Sequence, residues 1–539
     1  MFESFYKLFI WIRGVVPNQY KNKWIAFLLV LFSLALDNFI GAGSLVIQDS
    51  VQLSFKTTYA TASWVLSAYT LTLASFIIIA GKFADILGPM NLFFAGQMVI
   101  FVCSLITFFV TNSVTIVIIF RAIQGIGAAM LVPSSFSITA NYFKNDKKGL
   151  SLAMIGLFIA LAGSLGTGPL IAGALVMSKL GYRAFFLFVF AADFILFILS
   201  LFLLLPIDKN DQNEKSLKEI NYFGMVLFVA GLLLIILGLT EGGNNWKSPT
   251  SYVSLPVGIL LIIFVLIFEL HFMENYRKQH TKPSDMNNKF KIKNEKIHDW
   301  MLKVDLLFPR EVMESPNFLF MTLISAFYYM AFSYFIPYMI MYRIYIIDQS
   351  ALLAGVHIIP YIVVNITWGL LFNENWYRKI GFQNLIIIST LVSLAGDYLT
   401  SRLDFRVENS YWKSEFVGMM LIGLGAGTFF NIYFNVFFPR IPVKLQGIAT
   451  GIFQSLAQVG FTTGIAIETS ILGKIQSHDT FSMKLEYHER FKIVKYISYG
   501  IFALIFILAC SLKDMNEKFD ESEDFETESC VLSVNELKC

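Results

Sequence analysis

Six ionisable side chains stand inside stretches that are otherwise almost wholly apolar: Asp37 in L-A-L-D-N-F, Arg121 in I-I-F-R-A-I-Q-G-I-G, and Asp193, His357, Asp397 and Glu468. A charge at membrane depth costs about 2.5 to 3.5 kcal/mol on insertion scales, so each of these groups needs a partner or a task. Asp37, Arg121 and Glu468 are read as lining an aqueous cavity, where a carboxylate exchanges protons and either charge can meet a charged substrate. The alternative is a buried structural pair, for instance Asp37 with Arg121. Asp193, His357 and Asp397 are read as satisfied polar groups or as groups near an interface. Enzyme chemistry finds no support: there is no H-E-x-x-H, G-x-S-x-G or P-loop, and the six His are scattered at 271, 280, 298, 357, 478 and 488. Neither a metal site nor a cofactor is expected, and the four Cys show no ligand spacing or disulfide framework.

The elements that must hold these groups are membrane helices. Of 539 residues, 56% are hydrophobic and 15% charged, with a mean hydropathy of +0.64. A soluble globular domain carries about 25% charge. Apolar stretches long enough to cross roughly 30 Å of hydrocarbon recur along the chain. Fourteen are expected, starting near Trp24, Thr61, Met90, Val114, Leu150, Ala184, Tyr222, Tyr252, Phe318, Ala351, Asn384, Phe416, Gly447 and Val494. The fold class is therefore an all-α polytopic membrane protein. An even count puts both termini on one side, and Lys plus Arg favour that side roughly two to one, which makes it the cytoplasm. One outer loop runs against the bias, with Lys474, Lys484, Arg490, Lys492 and Lys495 before the last span.

The expected organisation is a cytoplasmic segment 1–23, a six-helix half 24–206, a linker with two inserted helices 207–272, a cytoplasmic loop 273–316, a second six-helix half 317–512 and an acidic tail 513–539. The long loop reads as a tether or as a surface helix, D-W-M-L-K-V-D-L-L-F, lying in the interface. Lys148-Gly149-Leu150 opening span 5 is echoed by Gln446-Gly447-Ile448 opening span 13. Two six-helix halves around a two-helix insert produce that spacing, and such repeats mark secondary transporters whose site forms between the halves.

Between spans 2 and 3 the chain reads G-K-F-A-D-I-L-G, from Gly81 through Lys82 and Asp85 to Gly88. This segment resembles the loop signature of the major facilitator superfamily, G-x-L-A-D-R-x-G-R-K. Ile86, Pro89 and Met90 stand where that family carries basic residues. Arg121, Gln124, Gly125 and Gly127 resemble its R-x-x-Q-G-x-G pattern, and Gly168, Pro169 and Gly173 its antiporter motif, with Ala172 replacing a glycine. L-D-N in span 1, W-V-L-S-A-Y from Trp64 and L-T-E-G-G-N-N-W-K-S-P after span 7 resemble the fungal 14-spanner drug:proton antiporter branch, which includes aminotriazole and boron resistance exporters. The likeness runs from Trp24 to Leu512 and is stronger in the first half; E-N-W-Y-R-K-I-G in the second places Arg378 where Asp85 stands in the first.

The resemblance implies the major facilitator fold, Asp85 as a latch between the halves, and Arg121 in proton transfer. It also implies a proton-coupled antiporter that exports or sequesters small toxic or organic molecules by alternating access, driven by the proton gradient. A proton-coupled importer or uniporter of a nutrient, and a non-transporting sensor on the same fold, are the alternatives. Protons, a small-molecule substrate and lipid are the expected partners, with no nucleic acid and a monomer. The expected location is the plasma membrane rather than the vacuolar membrane, with both termini cytoplasmic.

Overall fold

The computed structural model describes residue 17 and residues 21–513, apart from 208–219, 243–245, 274, 278–297, 299, 303, 305, 309, 373, 408–409, 442 and 473–480. The acidic tail and most of the N-terminal segment, of the linker after span 6 and of the long cytoplasmic loop lie outside these residues. The first half comprises α1 (Lys23–Phe55), α2 (Tyr59–Leu87), α3 (Pro89–Phe109), α4 (Val114–Tyr142), α5 (Lys147–Val176) and α6 (Tyr182–Leu203). The inserted pair is α7 (Tyr222–Gly242) and α8 (Pro249–Arg277). The second half comprises α9 (Phe318–Tyr345), α10 (Leu352–Leu371), α11 (Phe382–Thr400), α12 (Tyr411–Ile432), α13 (Val443–Leu472) and α14 (Phe481–Cys510). Thirteen are long and apolar enough to cross a membrane. The other, α13, packs against α2 and α9 with Gln454, Thr462, Glu468 and Thr469 buried along it.

The halves repeat one packing scheme. Helix α1 packs on α5, α2 on α4, and α3 on both α4 and α6; in the second half α9 packs on α13, α10 on α12, and α11 on both α12 and α14. The seams between the halves follow the same rule, α2 against α13 and α5 against α10. Small residues let these backbones approach. A Cβ on Gly96 of α3 would lie 2.6 Å from the Gly127 carbonyl of α4, and one on Gly396 of α11 would lie 2.7 Å from the Gly418 carbonyl of α12. The turns match too: Gly88 before α3 and Gly381 before α11 both have φ of +90°, a region open to glycine and costly for other residues.

Two expectations are revised. Helix α14 starts at Phe481, well before Val494, so Lys484, Arg490, Lys492 and Lys495 belong to a helix and not to an outer loop; Lys474 lies outside the described residues. The part of D-W-M-L-K-V-D-L-L-F that is described does not lie on the surface. Met301, Val304, Leu306, Leu307 and Phe308 are buried, and the Phe308 N–H donates at 3.1 Å to Glu269 of α8. The inserted helices therefore grip the segment leading to the second half, and α7 itself packs on α2 and α13.

Candidate functional site

A cavity lies between the halves. The first half contributes Asp37, Asn38 and Gly41 from α1, Tyr69 and Thr70 from α2, and Leu161 and Leu165 from α5. The second half faces them with Tyr329 and Phe332 of α9, Tyr361 of α10, Phe430 of α12, Phe434 of the turn after it, and Gln458 and Phe461 of α13. Among the described residues the lining carries one carboxylate, no Lys or Arg, and a wall rich in rings. Such a surface suits a ligand with apolar area and a positive or neutral polar end.

Asp37 is buried at the middle of α1, and its carboxylate accepts a hydrogen bond from the Tyr69 hydroxyl. Arg121 lies behind Tyr69, fully buried, with its guanidinium 4.3 Å from the centre of the tyrosine ring. Its nitrogens donate to the Val65 carbonyl, to Gln124 Oε1 and to Ser44 Oγ, each at 2.7 Å. Gln124 in turn donates to Ser104 Oγ at 2.8 Å. Among the described residues no ion pair joins Asp37 to Arg121; Tyr69 mediates between them. Gly125 and Gly127 make this possible, since a side chain on Gly125 would strike Thr72 and the Tyr69 carbonyl and one on Gly127 would lie 2.9 Å from the Gly96 carbonyl.

The span 5 motif shapes the seam. A Cβ on Gly168 would lie 2.9 Å from the Phe39 carbonyl of α1, and Gly173 is buried further along α5. Across the seam, a Cβ on Gly355 would lie 2.8 Å from Leu170 Cα and 3.2 Å from the Pro169 carbonyl carbon. The other seam closes where Ser455 Oγ of α13 donates to the Ala74 carbonyl of α2 at 3.2 Å. In the loop motif a Cβ on Gly81 would lie 3.9 Å from Pro133, Lys82 is buried, Gly88 makes the turn, and the side chain of Asp85 lies outside the described part.

Of the residues singled out for proton coupling, Asp37 alone borders the cavity. Arg121 and Gln124 form its support, and Glu468 sits elsewhere, on α13 beyond Phe461. Asp193 is buried with Oδ2 unpartnered, and the Nδ1 of His357 is likewise unpartnered while its ring packs 4.3 Å from that of Tyr411. Asp397 is paired with Lys495 of α14 at 2.6 Å. A second buried pair joins Arg343 of α9 to Glu415 of α12. Both pairs escape a reading of the sequence, because Lys495, Arg343 and Glu415 stand at the ends of apolar runs where charge normally meets water. A hint existed in Lys495, the last basic residue before an uninterrupted apolar stretch. Outside the spans, Arg406 hydrogen-bonds Asp404 in the loop before α12 and holds that carboxyl down to about 2.

The profile of the Major Facilitator Superfamily matches residues 25–345. The chain belongs to that superfamily. It is an integral multi-pass transporter with the superfamily's all-helical fold, and it stands among transporters of small molecules, not enzymes. The riboflavin transporter RibZ of Clostridioides difficile is 22% identical over 88% of this chain and 91% of its own length. The aminotriazole resistance protein of Saccharomyces cerevisiae is 22% identical over 84% of this chain and 79% of its own. The crystal structure of the human organic anion transporter MFSD10 superposes with a TM-score of 0.56 at 14% identity, covering 90% of this chain and 99% of that one, a likeness of fold.

Proposed function

We propose that the protein is a proton-coupled antiporter that removes small organic molecules, positively charged or neutral, from the cytosol. The observation that carries this reading is a central cavity in which Asp37, the one acidic side chain among the described lining residues, is set among aromatic rings. An ionised Asp37 attracts a cationic cargo, while a proton on the same carboxylate removes the attraction, so cargo and proton compete for one group. The Tyr69 hydroxyl orients the carboxylate, and Arg121 holds the ring that bears the hydroxyl. Alternating closure of the α5–α10 and α2–α13 seams exposes the cavity to each side in turn. Membership of the drug:proton antiporter branch draws support from the yeast aminotriazole resistance relative. We place the protein in the plasma membrane as a monomer, with cytoplasmic termini and with Asp85 as an inner latch.

The test is exchange in proteoliposomes holding the purified full-length protein, with tetraphenylphosphonium and ethidium as probes and an imposed pH gradient. Probe movement against the proton flux, lost in Asp37→Asn, is the expected result. Movement independent of the gradient, or undiminished by Asp37→Asn, removes Asp37 from the role. The riboflavin transporter among the relatives keeps transport of a nutrient as a second reading, and probe movement with the proton flux would make it import.

A further inference from the structure

The second half holds a group that the Asp37 site leaves unused. Helix α9 is broken between Ser333 and Ile336, because Pro337 has no N–H to give to the Ser333 carbonyl. On α13, Gly460, Gly464 and Glu468 recur every four residues and so share one face. Side chains on the two glycines would run into Ala326 and Ser333 of α9, so α13 presses closely on α9 up to the break. Glu468, one turn further, is buried, with Oε1 lacking any hydrogen bond. Lys495 reaches the same break from α14, with its ammonium 4.2 Å from the Tyr338 ring centre and 5.9 Å from that of Phe335.

Charge counting then singles out Glu468. Besides His488, the buried charged side chains of the second half among the described residues are Arg343, Lys495, Asp397, Glu415 and Glu468. Arg343 is bonded through two nitrogens to Glu415, and Lys495 through its ammonium to Asp397 at 2.6 Å and Thr400 Oγ1 at 3.3 Å. Leaving aside His488, which bonds through Nδ1 to the Tyr342 hydroxyl, three carboxylates face two cations. An unpaired ionised carboxylate in such surroundings costs several kcal/mol, so neutrality requires one proton. Tyr334 from α9 and Lys495 from α14 lie within electrostatic reach of Glu468; α7 brings Thr240 and Glu241 level with Ser470, whose hydroxyl meets the Leu239 carbonyl at 2.5 Å, and α2 carries no charge before Lys82. Asp397 keeps Oδ2 unpartnered on a small cavity that shares Phe332 with the central one.

We propose that Glu468 is a second proton-exchange site, in the second half, whose ionised form draws the Lys495 ammonium away from Asp397. The O–H bond of the Glu468 carboxyl breaks, the proton leaves to water, and the ion contact re-forms on the new anion at the break of α9. The inference rests on the proton-coupled reading above and adds a proton site to it.

Infrared difference spectra of the full-length protein in liposomes, recorded across pH, test it through the carbonyl stretch that only protonated carboxyls show. Wild type is expected to lose several such bands as pH rises, since buried carboxyls such as Asp193 and Glu269 contribute their own; Asp37→Asn removes one and Glu468→Gln another. A Glu468→Gln spectrum identical to wild type overturns the proposal. If that variant does not fold, Glu468→Asp is used, where a displaced band supports the site and an unchanged spectrum overturns it. Tetraphenylphosphonium exchange on the same vesicles separates the two readings: no gradient-driven exchange in wild type sinks the antiport reading while the Glu468 band still stands, and exchange with no Glu468 band sinks only the second site.

Discussion

The guanidinium of Arg121 lies 4.3 Å over the ring of Tyr69, and that contact links a fully buried cation to the acid in the cavity without the two charges touching. The ring takes the charge on its face and its hydroxyl passes a hydrogen bond to Asp37. A substitution at Tyr69 therefore separates two roles. Tyr69→Phe keeps the platform and deletes the donor, with an expected stability loss of about 1 kcal/mol and a displaced pH profile of probe exchange. Tyr69→Leu removes both and should reduce folded yield as well; thermal unfolding with pH-resolved exchange checks the pair.

Lys495 and Asp397 provide a charge-balance test. Lys495→Met leaves a buried carboxylate uncompensated and should cost about 3 to 5 kcal/mol, whereas Lys495→Met with Asp397→Leu should recover most of it. Unfolding midpoints of the single and double variants in one detergent give the coupling, and additive losses would show that the pair contributes nothing as a pair.

Gly355 faces Pro169 and Leu170 across the α5–α10 seam with no room for a side chain. Gly355→Val is expected to hold that seam apart: exchange should fall at least about tenfold, the cost of roughly 1.4 kcal/mol against closure, with membrane insertion unchanged. Thiol labelling of a cysteine placed at Leu165 reads the seam directly, and labelling equal to that of the parent would argue against closure at this point.

Asp404 supplies a pH prediction outside the membrane. Its folded value of about 2 lies below the ordinary value near 4, so its bond to Arg406 contributes fully above pH 4 and is lost as pH falls toward 2. The pair is partly exposed, so the contribution is expected to stay below about 1 kcal/mol. Hydrogen exchange over residues 401–407 should speed up through that window, and in Arg406→Gln the acceleration should begin at higher pH.

The span starts are legible because lipid demands long apolar runs, and thirteen of the fourteen fall within about five residues of the helices. The start of α14 is not, because hydropathy ends a span at the first cluster of charge while this helix carries its charges outward and satisfies Lys495 internally. The motif residues around Arg121 are visible as a string, and their glycines are explained by contacts that no string contains. That Arg121 turns to Ser44, Val65 and Gln124 instead of Asp37 depends on how α1, α2 and α4 are rotated about their axes, a quantity fixed by packing. Tyr69 closes a recognisable W-V-L-S-A-Y segment, yet its task appears only when α2 is laid beside α1.

The inserted helix α7 covers only one of the two seams, resting on α2 and α13. Among the described residues the partner seam, α5 against α10, has no such helix resting on it and borders the cavity through Leu161, Leu165 and Tyr361. The surrounding bilayer thus addresses the two sides of the molecule unequally: it is shielded from one hinge line and wets the other. Acyl-chain thickness and lateral pressure should bias the transporter through α5 and α10.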